Sequence, residues 1–126
     1  MTSPTDREFE QMLQDKGLNA PRITPDLVQA NIASEHYFTA GQGATFGATD
    51  VAGTPNEGCP PSALNLLTFC VLVLKNGFTV TGESACASPE NFNAELGRCI
   101  ARQNAVTKVW PLMGYELKIK LSEEIQ

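Results

Sequence analysis

The residues that could carry chemistry in this chain are few and scattered. His36 is the only histidine, and Ser84 in Gly-Glu-Ser lacks the second glycine of a GxSxG nucleophile elbow. Glu83, Glu90 and Glu95 have ordinary surface explanations and do not form a recognisable acid–base pair. The chain also lacks a GxxxxGK(S/T) phosphate loop, a GxGxxG dinucleotide motif and an HExxH motif. We therefore predict a protein that is not an enzyme.

The four cysteines, Cys59, Cys70, Cys86 and Cys99, form no CxxC pair. A zinc site would have to gather its ligands from scattered positions, so we expect no bound metal and no cofactor. Cys70 and Cys99 are predicted to be small buried hydrophobic residues.

Residues suited to binding cluster around one strand-to-helix joint, FTVTGESACASPENFNAELG, at 78–97. The amides of Asn91 and Asn93 can donate to and accept from ribose hydroxyls or a base edge. The free backbone N–H groups of a helix start near Ser88 and Asn91 can donate hydrogen bonds to an anion. Phe78 can stack on a base if it is exposed. The alternatives are local capping for the two asparagines and a core position for Phe78.

Four cations could reach a phosphate: Arg22, Arg98, Arg102 and Lys108. Ordinary solvation at the surface is the alternative for each of them.

The first half of the chain predicts two helices and a long loop. A short helix is expected over 5–16 and a second over 25–35, where Thr24 is a natural N-cap and Pro25 suits the first helical position. Residues 1–20 then form an N-terminal helix and linker. The segment 41–62 is rich in glycine and proline, without helical or strand periodicity, and predicts a loop insertion.

The clearest local signal is a hairpin around Asn76-Gly77. Asn-Gly favours a two-residue type I′ turn because both residues tolerate positive φ. That turn predicts the pairs Lys75 with Phe78, Leu74 with Thr79, Val73 with Val80 and Leu72 with Thr81. One face of the hairpin would then be apolar core, and the other half covered; the core face carries Val71, Val73, Phe78 and Val80.

The last third predicts a long helix followed by a strand. Ser88 can cap a helix over 89–109, with Pro89 at its first position, and Pro111 is expected to stop it. Its apolar face is predicted to contain Phe92, Leu96, Cys99, Ile100, Val106 and Trp110. YELKIKL at 115–121 alternates with period two, which favours a strand, although its composition also suits a helix.

These elements predict an α+β fold in a single domain over 1–126. A small antiparallel sheet is built on the Asn-Gly hairpin, with helices packed on one face. The chain has 126 residues, is 42% hydrophobic and carries a formal net charge of −5. That charge argues against binding a nucleic acid polymer. The most apolar run, 64–74, is too short to span a membrane, and the polar, charged first residues contain no apolar stretch that could act as a secretory signal. We expect a cytosolic protein.

Three segments carry a resemblance to a known family: SEHYFTA, LLTFCVLVLKNGFTVTGESACASPENF and IARQNAVTKVWPLMGYELK. They resemble a family of small tailed-phage early or accessory proteins over about 22–121, apart from the 41–62 insertion. The resemblance implies a bacteriophage protein expressed in the cytoplasm of a bacterial host.

The layout is also similar to phage anti-Thoeris sponge proteins, which sequester cyclic ADP-ribose-type signals without cleaving them. That resemblance implies a ligand site made of Arg22, Phe78, Asn91, Asn93 and Lys108, and an oligomer of two or more copies with pockets between subunits. Asn93 stands where the sponge pattern has an acid, and Lys108 where it has an arginine.

The leading hypothesis is therefore a phage anti-defence protein that sequesters a nucleotide-derived second messenger. The messenger would be a cyclic ADP-ribose-type signal or a cyclic oligonucleotide. The alternative is a phage accessory protein that inhibits a host protein by direct binding through its acidic surface and Gly/Pro-rich loop. A nucleotide-cleaving enzyme is the third reading, disfavoured by the single histidine.

Overall fold

Seven helices and strands and two short 3₁₀ helices make up the part of the chain that the computed structural model describes, residues 5–18 and 20–124. Residues 1–4 and 125–126 of the predicted domain, and residue 19 of the predicted linker, lie outside it. The 3₁₀ helices are Ser62–Leu66 and Pro89–Asn91. The remaining elements, in chain order, are α1 (Asp6–Asp15), α2 (Pro25–Ala30), β1 (Ile32–Thr39), α3 (Ala40–Gly47), β2 (Leu67–Leu74), β3 (Thr79–Ala85) and α4 (Ala94–Glu124).

The three strands form one antiparallel sheet in the order β1-β2-β3. Along β2 every second side chain is buried, because α4 packs on that face of the sheet. The buried residues of this strand are Thr68, Cys70, Leu72 and Leu74. The predicted α+β class is confirmed.

The loop of the hairpin holds three residues, 75–77, rather than the predicted two. Leu74 donates its N–H to the carbonyl of Phe78 at 2.8 Å and accepts from the N–H of Gly77 at 2.9 Å. Gly77 has φ +89°, and no other residue type in the described part has positive φ. The type I′ turn needs Asn76 at positive φ as well, so it does not form.

The longer loop moves the strand register by one residue. Leu72 pairs with Val80 and Val73 with Thr79, so the predicted pairs are wrong. A one-residue slip exchanges the two faces of a strand, which is why Leu72 and Val80 share the buried face. Phe78 is 55% exposed and does not belong to the core.

Helix α4 contacts the sheet through small residues four positions apart. Gly97, Ala101, Ala105 and Val109 are buried, and they bring the helix backbone close to β3. The predicted apolar face is therefore partly wrong: Leu96 is 57% exposed, and Cys99 is exposed as well. A close helix–sheet contact leaves room for small side chains only, so the larger ones lie to either side.

Two predictions in the first half need correction. The helix that starts at Pro25 ends at Ala30, and 32–39 is an edge strand of the sheet rather than the end of a helix. The predicted 41–62 loop begins with helix α3, because Thr39 and Gln42 cap each other's backbone N–H groups. Pairing with β2 and this capping box outweigh the local composition.

The C-terminal strand prediction is wrong, since 115–121 belongs to helix α4. Pro111 lies inside that helix with its side chain exposed, so the hydrogen bond it removes lies on the solvent side. Leu117 and Leu121 are four residues apart and suit a helix as well as a strand. Lys120 donates to Glu116 at 2.8 Å, an ion pair that only helical spacing makes.

Candidate ligand-binding site at the start of helix α4

A shallow cleft of about 140 Å³ lies where the end of β3 meets the start of α4. Asn91, Asn93 and Ser84 line it together with Phe92. The structure thus brings together the two asparagines whose amides were predicted to contact a ligand. A cleft this small accommodates a sugar-sized group rather than a whole nucleotide, since sites for drug-sized molecules measure roughly 300–1,000 Å³.

The helix begins five residues later than the predicted Ser88 cap implies. Asn93 is the capping residue: its Oδ1 accepts from the N–H of Leu96 at 2.9 Å. This contact occupies one atom of the amide and leaves the NH₂ group of Asn93 for a ligand. Aspartate caps a helix as well as asparagine does. The acid of the sponge pattern and the asparagine of this chain can therefore fill the same capping role at position 93.

Ser88 has a different role in the 3₁₀ turn that precedes the helix. Its hydroxyl donates to a carboxylate oxygen of Glu90, and this hydrogen bond lowers the pKa of Glu90. The predicted helix start at Ser88 is therefore wrong in position, because α4 starts after Asn93 and Ser88 precedes a 3₁₀ helix instead.

Phe78 and Lys108 lie at the other end of β3. Phe78 precedes the strand and Ser84 follows six residues later, a separation of roughly 20 Å at about 3.3 Å per residue. Helix α4 runs antiparallel to β3, since Ser84 shares a cleft with Gly97 and Gly82 lies against Ala105. Lys108, exposed and 14 residues into α4, is therefore near the Phe78 end.

Arg22 is engaged in a structural contact. Its guanidinium pairs with the carboxylate of Glu10 in α1 and donates to the carbonyl of Leu18 at 2.8 Å. The hydrogen bond from Arg22 lowers the pKa of Glu10. A phosphate bound by Arg22 would have to displace Glu10, so within one chain the five predicted ligand residues do not form one pocket.

The two remaining arginine candidates differ in their surroundings. Arg102 donates to Glu35 at 3.0 Å and to Gln29 at 2.6 Å, linking α4 to β1 and α2. Arg98 lines a second cavity, which Phe92 also lines. Other residues of that cavity, Asn65 and Thr68 among them, were missed, because nothing in the local sequence brings them near Arg98.

Burial perturbs two titratable groups within the sheet, Tyr37 in β1 and Cys70 in β2. Burial raises the pKa of the Tyr37 hydroxyl well above its usual value, and it also raises the pKa of the Cys70 thiol. All four cysteines are free thiols. Within 5–18 and 20–124, no group of three or more His, Cys, Asp or Glu side chains is placed to hold a metal ion.

The fold and this cleft define a small α+β protein with polar and aromatic surface sites. Residues 23–121 match the phage protein (N4 Gp49/phage Sf6 gene 66) family. The chain belongs to this bacteriophage family, and the matched segment starts directly after Arg22. No curated protein and no solved structure matches the chain. Across the described ranges, no helix has the length and apolar character needed to cross a membrane.

Proposed function

We propose that this phage protein binds and sequesters a nucleotide-derived immune messenger of the host without cleaving it. The messenger is a cyclic ADP-ribose-type molecule or a cyclic oligonucleotide, and the setting is the host cytoplasm. The observation that carries the proposal is the cleft at the start of α4, where Asn91 and Asn93 meet beside Phe92. Amide groups beside an aromatic ring suit the hydroxyls and base edges of such a ligand.

The position of the other predicted residues supports a site shared between copies. Phe78 and Lys108 lie at the opposite end of β3 from Asn91, and in a two-fold dimer one copy's hairpin end can meet the other's joint. The exposed side chains of Leu96 and Ile100, 57% and 39% accessible, flank the cleft and offer apolar surface for such a partner. A second copy would enlarge the small cleft to the size of a nucleotide.

In this arrangement the asparagines of one copy bind ribose, and Phe78 of the other stacks on the base. Lys108 balances phosphate charge as a single cation, since lysine lacks the bidentate fork of arginine. Arg22 contributes only if the ligand displaces Glu10.

The direct test mixes purified protein with candidate cyclic nucleotides, removes unbound ligand and then heat-denatures the protein. Recovery of intact ligand supports sequestration, whereas recovery of a hydrolysed product identifies an enzyme. If none of the candidates binds, the proposal fails.

Three variants sharpen this test. Asn91→Ala removes one of the two carboxamides proposed to contact the ligand. Asn93→Ser removes the other while keeping a residue that caps α4. Phe78→Ala removes the stacking ring, with Phe46→Ala as its control, because Phe46 is 90% exposed on α3 away from the cleft. We expect each of the first three to release at least tenfold less ligand, and Phe46→Ala to match the wild type.

The exposed face of the sheet favours a second candidate function, inhibition of a host protein by direct binding. Along β2, Phe69, Val71 and Val73 are half-buried on the face opposite α4, and Phe38 beside them is 40% exposed. Capture of one stoichiometric host protein, unaffected by added nucleotide and lost in Phe38→Asp, would support this function.

A further inference from the structure

A second cavity, of about 440 Å³, lies between β1, α3 and the first turns of α4. Among the described residues, Phe92 is the one that lines both this cavity and the cleft described above. Its volume falls within the roughly 300–1,000 Å³ of small-molecule sites.

Arg98 is the one charged side chain among the residues that line this cavity. It takes part in none of the ion pairs formed between described residues. Glu35 accepts from the hydroxyl of Tyr37 in the cavity wall, and its charge is paired with Arg102 at 3.0 Å. Arg98 thus brings to this cavity a guanidinium with five N–H donors that none of those ion pairs engages.

Thr68 supplies a buried hydroxyl to the same cavity. The residue is only 3% exposed, and no hydrogen bond joins its hydroxyl to another described group. Within the described ranges, every side-chain nitrogen or oxygen that is fully buried has a hydrogen-bond partner. Because the Thr68 oxygen has no such partner, it is not fully buried, and it is accessible from the cavity that Thr68 lines. Gly97 keeps the space open, because an added Cβ there would lie 3.1 Å from the Thr68 oxygen.

The carboxamide of Asn65 forms another polar wall. It packs against Gly41 so closely that an added Cβ at Gly41 would lie 1.9 Å from its Oδ1. Asn65 is thus held in place by α3 and can donate to or accept from a ligand.

Aromatic rings complete the lining. Tyr37 lies opposite Cys70 on the sheet face that α4 covers, where it packs against the core. Phe92 lies on the α4 side of the cavity. A flat aromatic group can pack against these rings while an anionic group reaches Arg98.

We propose that this cavity is a binding site for a nucleoside monophosphate or a like phosphorylated aromatic group, with Arg98 and Thr68 on the phosphate. The proposal does not depend on the sequestration function, because the two sites share only Phe92. Arg98 acts through charge-assisted hydrogen bonds, and Thr68 donates its otherwise unused proton to a phosphate oxygen.

Calorimetric titration with adenosine 5′-monophosphate tests this site, with adenosine and inorganic phosphate as separate probes. We expect the monophosphate to bind at least tenfold more tightly than either part alone. Arg98→Ala should weaken its binding at least tenfold, Arg98→Lys less, and the nearly isosteric Thr68→Val a few-fold. Lys118→Ala removes an exposed cation of the same helix outside the cavity and should leave binding unchanged.

The proposal is overturned if the monophosphate does not bind at millimolar concentration, or if it binds the wild type and Arg98→Ala with equal affinity. Adenosine binding as tightly as the monophosphate also overturns it, since the phosphate then contributes nothing. Because Asn91→Ala should retain the monophosphate and lose the cyclic messenger, failure of this site is distinguishable from failure of the proposed function. Urea unfolding of each variant checks that the fold is retained.

Discussion

Gly82 is the residue that sets the distance between β3 and α4. A Cβ added there would lie 2.2 Å from the carbonyl oxygen of Ala101 and 2.3 Å from the backbone nitrogen of Ala105. Backbone atoms cannot move aside as a flexible side chain can, so the helix itself would have to shift.

Gly82→Ala should therefore destabilise the protein by about 3 kcal/mol, the upper part of the range for overpacked cores. Urea unfolding followed by circular dichroism measures this change. Gly43→Ala is the control: it lies in α3 with nothing within 4 Å of the added Cβ, and should stabilise by about 0.5–1 kcal/mol. Equal effects at the two glycines would contradict the close contact.

Asn93 combines a capping role with a proposed binding role, and substitutions separate them. Asn93→Ala should cost about 1 kcal/mol in the free energy of unfolding, because the N–H of Leu96 loses its acceptor. Asn93→Ser should keep nearly all of that stability while losing the amide NH₂. A serine variant that retains full ligand binding would leave Asn93 with a capping role alone.

At the scale of elements, Pro111 weakens helix α4 without ending it. The helix continues to Glu124 because neighbouring turns on both sides are formed and the ring faces solvent. Pro111→Ala should stabilise the helix by about 3 kcal/mol, and Gly114→Ala, a second poor helix former in the same segment, by about 1 kcal/mol. Helical ellipticity and urea unfolding measure both; a loss of stability in Pro111→Ala would mean that the proline is required where it stands.

The contact between Arg22 and Glu10 attaches helix α1 to the segment before α2, and it depends on pH. The pKa of Glu10 is lowered from 4.5 when the contact forms, so this stabilisation is complete above pH 4.5 and disappears as pH falls through the lowered pKa. We expect the Nε–H resonance of Arg22 and the α1 amide resonances to shift together below pH 4.5.

At pH 7, Glu10→Gln should already show the Arg22 and α1 resonances that the wild type shows only below pH 4.5. Glu57→Gln controls for the loss of one negative charge, because Glu57 is an exposed loop residue outside the ion pairs of the described chain. A Glu10→Gln spectrum identical to the wild type at pH 7 would show that the carboxylate does not hold α1.

At the scale of the whole molecule, the proposed site requires residues from both ends of β3, so it predicts complementation between subunits. Phe78→Ala and Asn91→Ala should each fail to bind the cyclic messenger. Mixed and refolded together, they should regain roughly a quarter of the sites, since half the dimers are mixed and one pocket in each is intact. Ligand release after heating measures the recovery. No recovery from a mixture shown to form mixed dimers would contradict a shared pocket.

Local chemistry in the chain determined the fold class, the Thr24-Pro25 start of α2, the turn at Gly77 and the phage family. It also predicted Asn91 and Asn93 as candidate ligand-binding residues, and the fold brings them together. These features depend on neighbouring residues only: a cap, a glycine at positive φ, or a long motif.

Tertiary structure alone decided the strand register, the exposure of Phe78 and the helical state of 115–121. The strand register follows from whether Asn76 adopts positive φ. The state of 115–121 was ambiguous because the spacing of Leu117 and Leu121 suits both the two-residue repeat of a strand and the 3.6-residue repeat of a helix. The cavity around Arg98 could not be read from the sequence, because Thr68 lies thirty residues away along the chain. Residues so distant become neighbours only when the small side chains of α4 let the helix lie against the sheet.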